Sequence, residues 1–121
     1  MPENVIDLDV LRPEQKFIKL NGKQIDISFI PCAITFDIDE LVKELSKLDQ
    51  KKLKTDGKEQ KKAFDITVKM CAIFCMWKYP EMDEEWFREN TSPGQLYSFS
   101  NEIRTALVKA YAGIEDYSKN E

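Results

Sequence analysis

"MCAIFCMW", residues 70–77, is eight residues without a charged or strongly polar side chain, in a chain that is 33% charged. It closes a longer pattern. Upstream, Lys58, Lys62, Asp65 and Lys69 recur at spacings of four, three and four, which is one stripe of an α-helix. Continued by three and seven residues, the stripe meets Ala72 and Met76, both apolar. The spacing predicts a helix over about 59–79, with a wet face in its first half and none in its second, ended by Pro80. A helix that is apolar all round must be covered all round. Either it is the central helix of its own domain, or a second chain covers part of it.

Before this helix, "KFIKLNGKQIDISFI", residues 16–30, predicts a β-hairpin. Asn21-Gly22 is the preferred pair for a two-residue type I′ turn, because both positions need φ above zero. That turn pairs Leu20 with Lys23, Ile18 with Ile25 and Lys16 with Ile27. One face then collects Ile18, Leu20, Ile25, Ile27 and Phe29, and the other Phe17, Lys19, Gln24, Asp26 and Ser28. Turn chemistry and apolar pattern select the same register. A lone hairpin is barely stable, so the apolar face must lie on something. Residues 1–15, with Pro2, Pro13 and a weak apolar alternation at Val5, Ile6, Leu8, Val10 and Leu11, read as an extended arm.

Between hairpin and long helix, Ile38, Leu41, Val42, Leu45 and Leu48 predict a helix over about 38–49, with Asp37 and Glu40 as a capping box. The carboxylates of "DIDE" belong to that helix start and its dipole rather than to a metal site. Residues 50–62 carry six lysines against Asp56 and Glu59 and read as a solvated linker. No aromatic is interleaved there for base stacking, so nucleic acid is not expected as a partner. "TDGK" lacks the spacing of a phosphate loop.

Beyond Pro80, Asp83 caps a short acidic helix over about 83–90. Trp86 and Phe87 are adjacent in it, so both cannot enter one groove. "TSPGQL" opens the last helix, about 93–114: Ser92 caps, Pro93 takes the first helical position and Gln95 completes a capping box. Leu96, Phe99, Ile103, Leu107, Ala110 and Ile114 form its stripe, and residues 117–121 read as a frayed tail. The expected fold is α+β, mainly α: an N-terminal hairpin on about four helices, one domain over 16–116.

Composition narrows the function. A 121-residue chain is one domain, and its 42% apolar content is that of a globular protein. No apolar run reaches the roughly 18 residues of a membrane span, and "MPENVIDLDVL" lacks the basic start and apolar core of an export signal. There is no histidine, hence neither the usual proton shuttle near neutral pH nor the commonest metal ligand. Cys32, Cys71 and Cys75 form no disulfide framework and read as reduced thiols. Cys71 and Cys75 lie four apart on one helix face, but these residues do not complete a zinc site, and they are expected as small buried hydrophobes. No catalytic constellation, cofactor motif or metal set emerges, so the chain is expected not to be an enzyme and to need no cofactor. Segment 81–89 is as acidic as 50–62 is basic, so the two patches could attract each other within the chain or attract copies of it head to tail.

The element order carries a resemblance. The hairpin "FIKLNGKQIDISFIP", the helix "ITFDIDELVKEL", the long apolar helix and then "WFRENTSPGQL" resemble the small tail assembly chaperones of long-tailed bacteriophages and prophages. The likeness spans roughly residues 16–112, with the lysine-rich stretch outside it. It implies a non-enzymatic protein of the host cytoplasm that binds the long, helix-rich tape measure protein before the tail tube forms. Such a role needs apolar side chains beyond those a four-helix domain buries. The candidates are Met76, Trp77, Tyr79, Trp86, Phe87 and Tyr97, with residues 76–87 as a partner or self-association surface. The same residue types also serve as core. A structural phage tail component and a host-directed protein-binding adaptor are the competing readings.

Overall fold

The computed structural model describes residues 4–114. The chain is α+β and mainly helical: a β-hairpin, β1 (Phe17–Leu20) and β2 (Lys23–Asp26), then five α-helices. These are α1 (Cys32–Ser46), α2 (Gln50–Thr55), α3 (Gly57–Met76), α4 (Glu84–Asn90) and α5 (Pro93–Ala110). Residues 115 and 116 and the tail at 117–121 lie outside the described residues, as do residues 1–3 of the arm.

The hairpin forms in the register its turn demands. Asn21 and Gly22 have φ of 51° and 81°, and Leu20 faces Lys23 and Ile18 faces Ile25. The Ile27 N–H donates to the Lys16 carbonyl at 2.9 Å. Leu20, Ile25 and Ile27 are buried and Ile18 half-buried, while Phe17, Lys19 and Gln24 are exposed. The strand pair is shorter than 16–30 because Asp26 turns the chain. Its Oδ1 accepts from the Ser28 N–H at 2.8 Å and from the Ser28 hydroxyl at 2.6 Å, a local bond that competes with the ladder. Phe29 lies half-buried beneath the Arg12 guanidinium, 3.8 Å from the ring centroid.

The helices depart from the sequence reading in two main ways, an earlier start to α1 and an additional helix. α1 begins at Cys32, not near 38, so Asp37 and Glu40 are exposed residues inside it and form no capping box. Pro31 is its N-cap and supplies no side-chain bond. Burial carries the helix upstream, because Ile34, Ile38 and Leu41 at spacings of four and three all reach the core. The second departure is α2, a fifth helix within the lysine-rich linker. Asp49 accepts from the N–H groups of Lys51 and Lys52, Leu53 is half-buried, and the lysines of the last turn suit the negative end of the dipole. Asp56 both ends α2 and caps α3.

α3 is the central helix and touches each of the other four. Met70, Cys71, Ala72, Phe74 and Cys75 are all buried, in one core cluster with the hairpin, α1, α4 and α5. Arg88 of α4 pairs at 2.9 Å with Asp65 on the polar stripe, and Ala72, two turns on, is buried. α3 ends at Met76 rather than 79, where the N–H groups of Lys78 and Tyr79 both reach the Cys75 carbonyl. Asp83 caps α4, and Ser92 with Gln95 forms the expected capping box on α5, which stops at Ala110 rather than 114.

The described part of the arm is not extended throughout. Asp7 accepts from the Asp9 N–H at 3.0 Å and starts a 3-10 turn, Leu8–Leu11, none of whose residues is buried.

Candidate functional site

The six candidate surface residues do not form one patch. Met76 is 41% exposed and Trp77 47% exposed, at the very end of α3. Both follow directly on the stretch 70–75, all of which but the half-buried Ile73 is buried. Tyr79 and Trp86 are half-buried and lie around Lys23, the first residue of β2. The Lys23 Nζ lies 5.8 Å from the Tyr79 ring centroid and 5.9 Å from that of Trp86, and donates to Glu81 at 2.7 Å. That hydrogen bond holds the exposed Glu81 carboxyl below its ordinary pKa. The hairpin turn is thus tied to the junction of α3 and α4.

Phe87 is removed from the surface. It is 1% exposed, edge-on to Trp86 at 5.0 Å and to Phe99 at 6.0 Å. Adjacent residues on a helix diverge, and here Phe87 takes the core while Trp86 takes the rim. Tyr97 is exposed but belongs elsewhere. It sits against Phe64, 6.5 Å between ring centroids, and Phe64 is twelve residues, about 18 Å, from Met76 along α3. Partial burial raises its phenol pKa.

Both α3 cysteines are core residues. Burial raises the Cys71 thiol well above its ordinary value, and pushes Cys75 up to about 12. Cys71 donates weakly to the Leu96 carbonyl at 3.9 Å. Neither is a thiolate at neutral pH, so neither is placed to act as a nucleophile or a soft-metal ligand. Among the described residues no cluster of three or more acidic, cysteine or histidine side chains is arranged to hold a metal. No described helix is long and apolar enough to cross a membrane.

Two surface features escaped the sequence reading. Phe36 is 74% exposed on α1, a position placed on a helix only once α1 is known to start at Cys32. The other is an open groove of about 640 Å³ between β1 (Phe17 to Leu20) and the first turns of α5 (Gly94, Gln95, Ser98, Phe99). The hairpin face assignment already put Phe17 and Lys19 outward, but their nearness to the start of α5 joins segments more than seventy residues apart.

No protein-family model, curated protein or solved structure matches the chain.

Proposed function

We propose that this protein is a non-enzymatic assembly chaperone of the phage-tail type, which binds an apolar helix of a tape measure protein at the end of α3. The reading rests first on the resemblance in element order, and on one structural observation above the rest. α3 is buried from Met70 through Cys75 apart from the half-buried Ile73, and its end then leaves Met76 and Trp77 exposed to solvent, followed by the half-buried Tyr79 and Trp86. Large aromatic and methionine side chains with a polar rim are what a helix-docking surface uses. Lys23 and Glu81 supply that rim.

The test is co-expression with the tape measure protein of the same phage or prophage, followed by affinity capture. The parent chain is expected to retain the tape measure protein. The Met76→Asp, Trp77→Asp double variant is expected to lose it while keeping the parent's helical content. Equal capture by parent and variant would remove this surface from the mechanism. Finding the protein in stoichiometric amounts in finished particles would replace the chaperone with a structural tail component.

A further inference from the structure

A second, independent surface pairs with a segment of the chain itself. In a two-residue hairpin the closing pair, Leu20 with Lys23, and every second pair from it are hydrogen-bonded across the strands. Ile18 with Ile25 and Lys16 with Ile27 follow, the last seen directly at 2.9 Å. Phe17 and Lys19 therefore turn their backbone N–H and C=O groups away from β2, along the open edge of β1. That edge borders the groove between β1 and α5. An exposed strand edge beside an apolar groove is a template for another strand.

The arm has the pattern of such a strand. Ile6, Leu8 and Val10 alternate with Asp7 and Asp9, and Ile6, Leu8 and Val10 are 84%, 67% and 74% exposed. Laid along β1, this alternation sets the three apolar side chains on the face of Ile18 and Leu20. It sets the two aspartates on the outer face beside Lys19, which carries no ion pair among the described residues. Apolar pattern and charge agree on one orientation of the faces. The conformation to be given up is slight, a single 3-10 turn with no buried residue.

The chain's own arm is out of reach. Arg12 is stacked on Phe29 and Leu11 lies against Gly113, so the arm leaves from the C-terminal end of α5, beside Ala110 and Ala112. The groove lies toward the other end of that helix, Gly94 to Phe99, roughly 16–24 Å away at ~1.5 Å per residue. Fully extended, Ile6 reaches at most about 17 Å from Leu11 and Val10 only one residue, so the arm's tip at most touches the near end of the groove and residues 6–10 cannot lie along its own β1. We propose that residues 6–10 of one copy add as a strand to the open edge of β1 in a second copy, filling its β1–α5 groove. Donor and acceptor are different surfaces, so each copy can offer one and receive at the other, and the assembly grows or closes into a ring.

Sedimentation of the purified full-length chain tests this without any tape measure protein, so its outcome is separate from that of the proposed function. Association is expected to rise with concentration up to about 1 mM, the weak end of specific binding. The Ile6→Asp, Leu8→Asp double variant is expected to associate at least about tenfold more weakly, with unchanged circular dichroism. Lys19→Glu should weaken association too, and Asp7→Lys with Asp9→Lys in the same chain should restore it. A parent chain that stays monomeric throughout, or a double variant that associates as the parent does, would overturn the proposal.

Discussion

The stretch Met70–Cys75 and the arm segment Val5–Leu11 are both rich in apolar side chains, and their fates are opposite. The first is the most hydrophobic run in the chain, and all of it but the half-buried Ile73 is buried. The second mixes its apolar residues with Asp7 and Asp9, and every one of its large hydrophobics is exposed. The difference is one of neighbours. α3 has α1, α4 and α5 packed against it, so every side chain of the stretch but Ile73 is covered. The arm leaves the domain at the end of α5, where Leu11 lies against Gly113, and none of the residues in its 3-10 turn is buried. Hydrophobicity alone therefore does not mark the surface that awaits a partner. Met76 and Trp77 are exposed at the end of α3, while the run before them is covered by the domain itself.

This contrast predicts very unequal costs for substitutions of similar chemistry. Phe99 touches both Phe74 and Phe87 edge-on, at 5.9 and 6.0 Å, so it joins α3, α4 and α5. Phe99→Ala is expected to cost about 3–5 kcal/mol by denaturant titration, and a loss under about 1 kcal/mol would mean the sealed side of the comparison is drawn wrongly. Ser92→Ala removes the hydroxyl that accepts from the Gln95 N–H at 3.3 Å and should cost about 1 kcal/mol by the same titration. Leu8→Ser in the arm is expected to change the monomer's stability by less than about 0.5 kcal/mol. A larger loss would show that the arm is packed within its own chain.

A smaller effect concerns acid. Partial burial pushes the Asp26 carboxyl up, but the hydrogen bonds from Ser28 and Gln15 outweigh it and hold the pKa below the ordinary value. A depressed carboxylate stabilises the folded state above its unfolded pKa, and that contribution fades as pH falls through the folded value. Thermal melts should therefore show an extra destabilisation below about pH 4 that Asp26→Asn lacks. If parent and variant lose stability in parallel on acidification, the Asp26–Ser28 turn does not help hold the hairpin.

Much of the fold was legible wherever neighbouring residues set the geometry. The type I′ turn at Asn21-Gly22, the hairpin register, the Asp83 cap and the Ser92–Gln95 capping box all follow from bonds between residues at most a few positions apart. Legibility failed where local signals competed. Asp37 and Glu40 have the spacing of a capping box, yet Ile34 and Ile38 reach the core and draw α1 back to Cys32. The lysines of 50–62 masked Asp49 and Leu53, which suffice for a short helix against α3. For the candidate surface, the positions Met76, Trp77, Tyr79 and Trp86 could be named in advance, but nothing local separates Trp86 from Phe87.

Local chemistry along the chain, then, set the turn, the caps, the strand faces and the all-round apolar character of the second half of α3. Which of those apolar side chains would be hidden depended on segments distant in sequence closing over them, and so did the meeting of β1 with the start of α5. Burial requires cover from several directions, and no stretch of one helix or strand contains the elements that provide it.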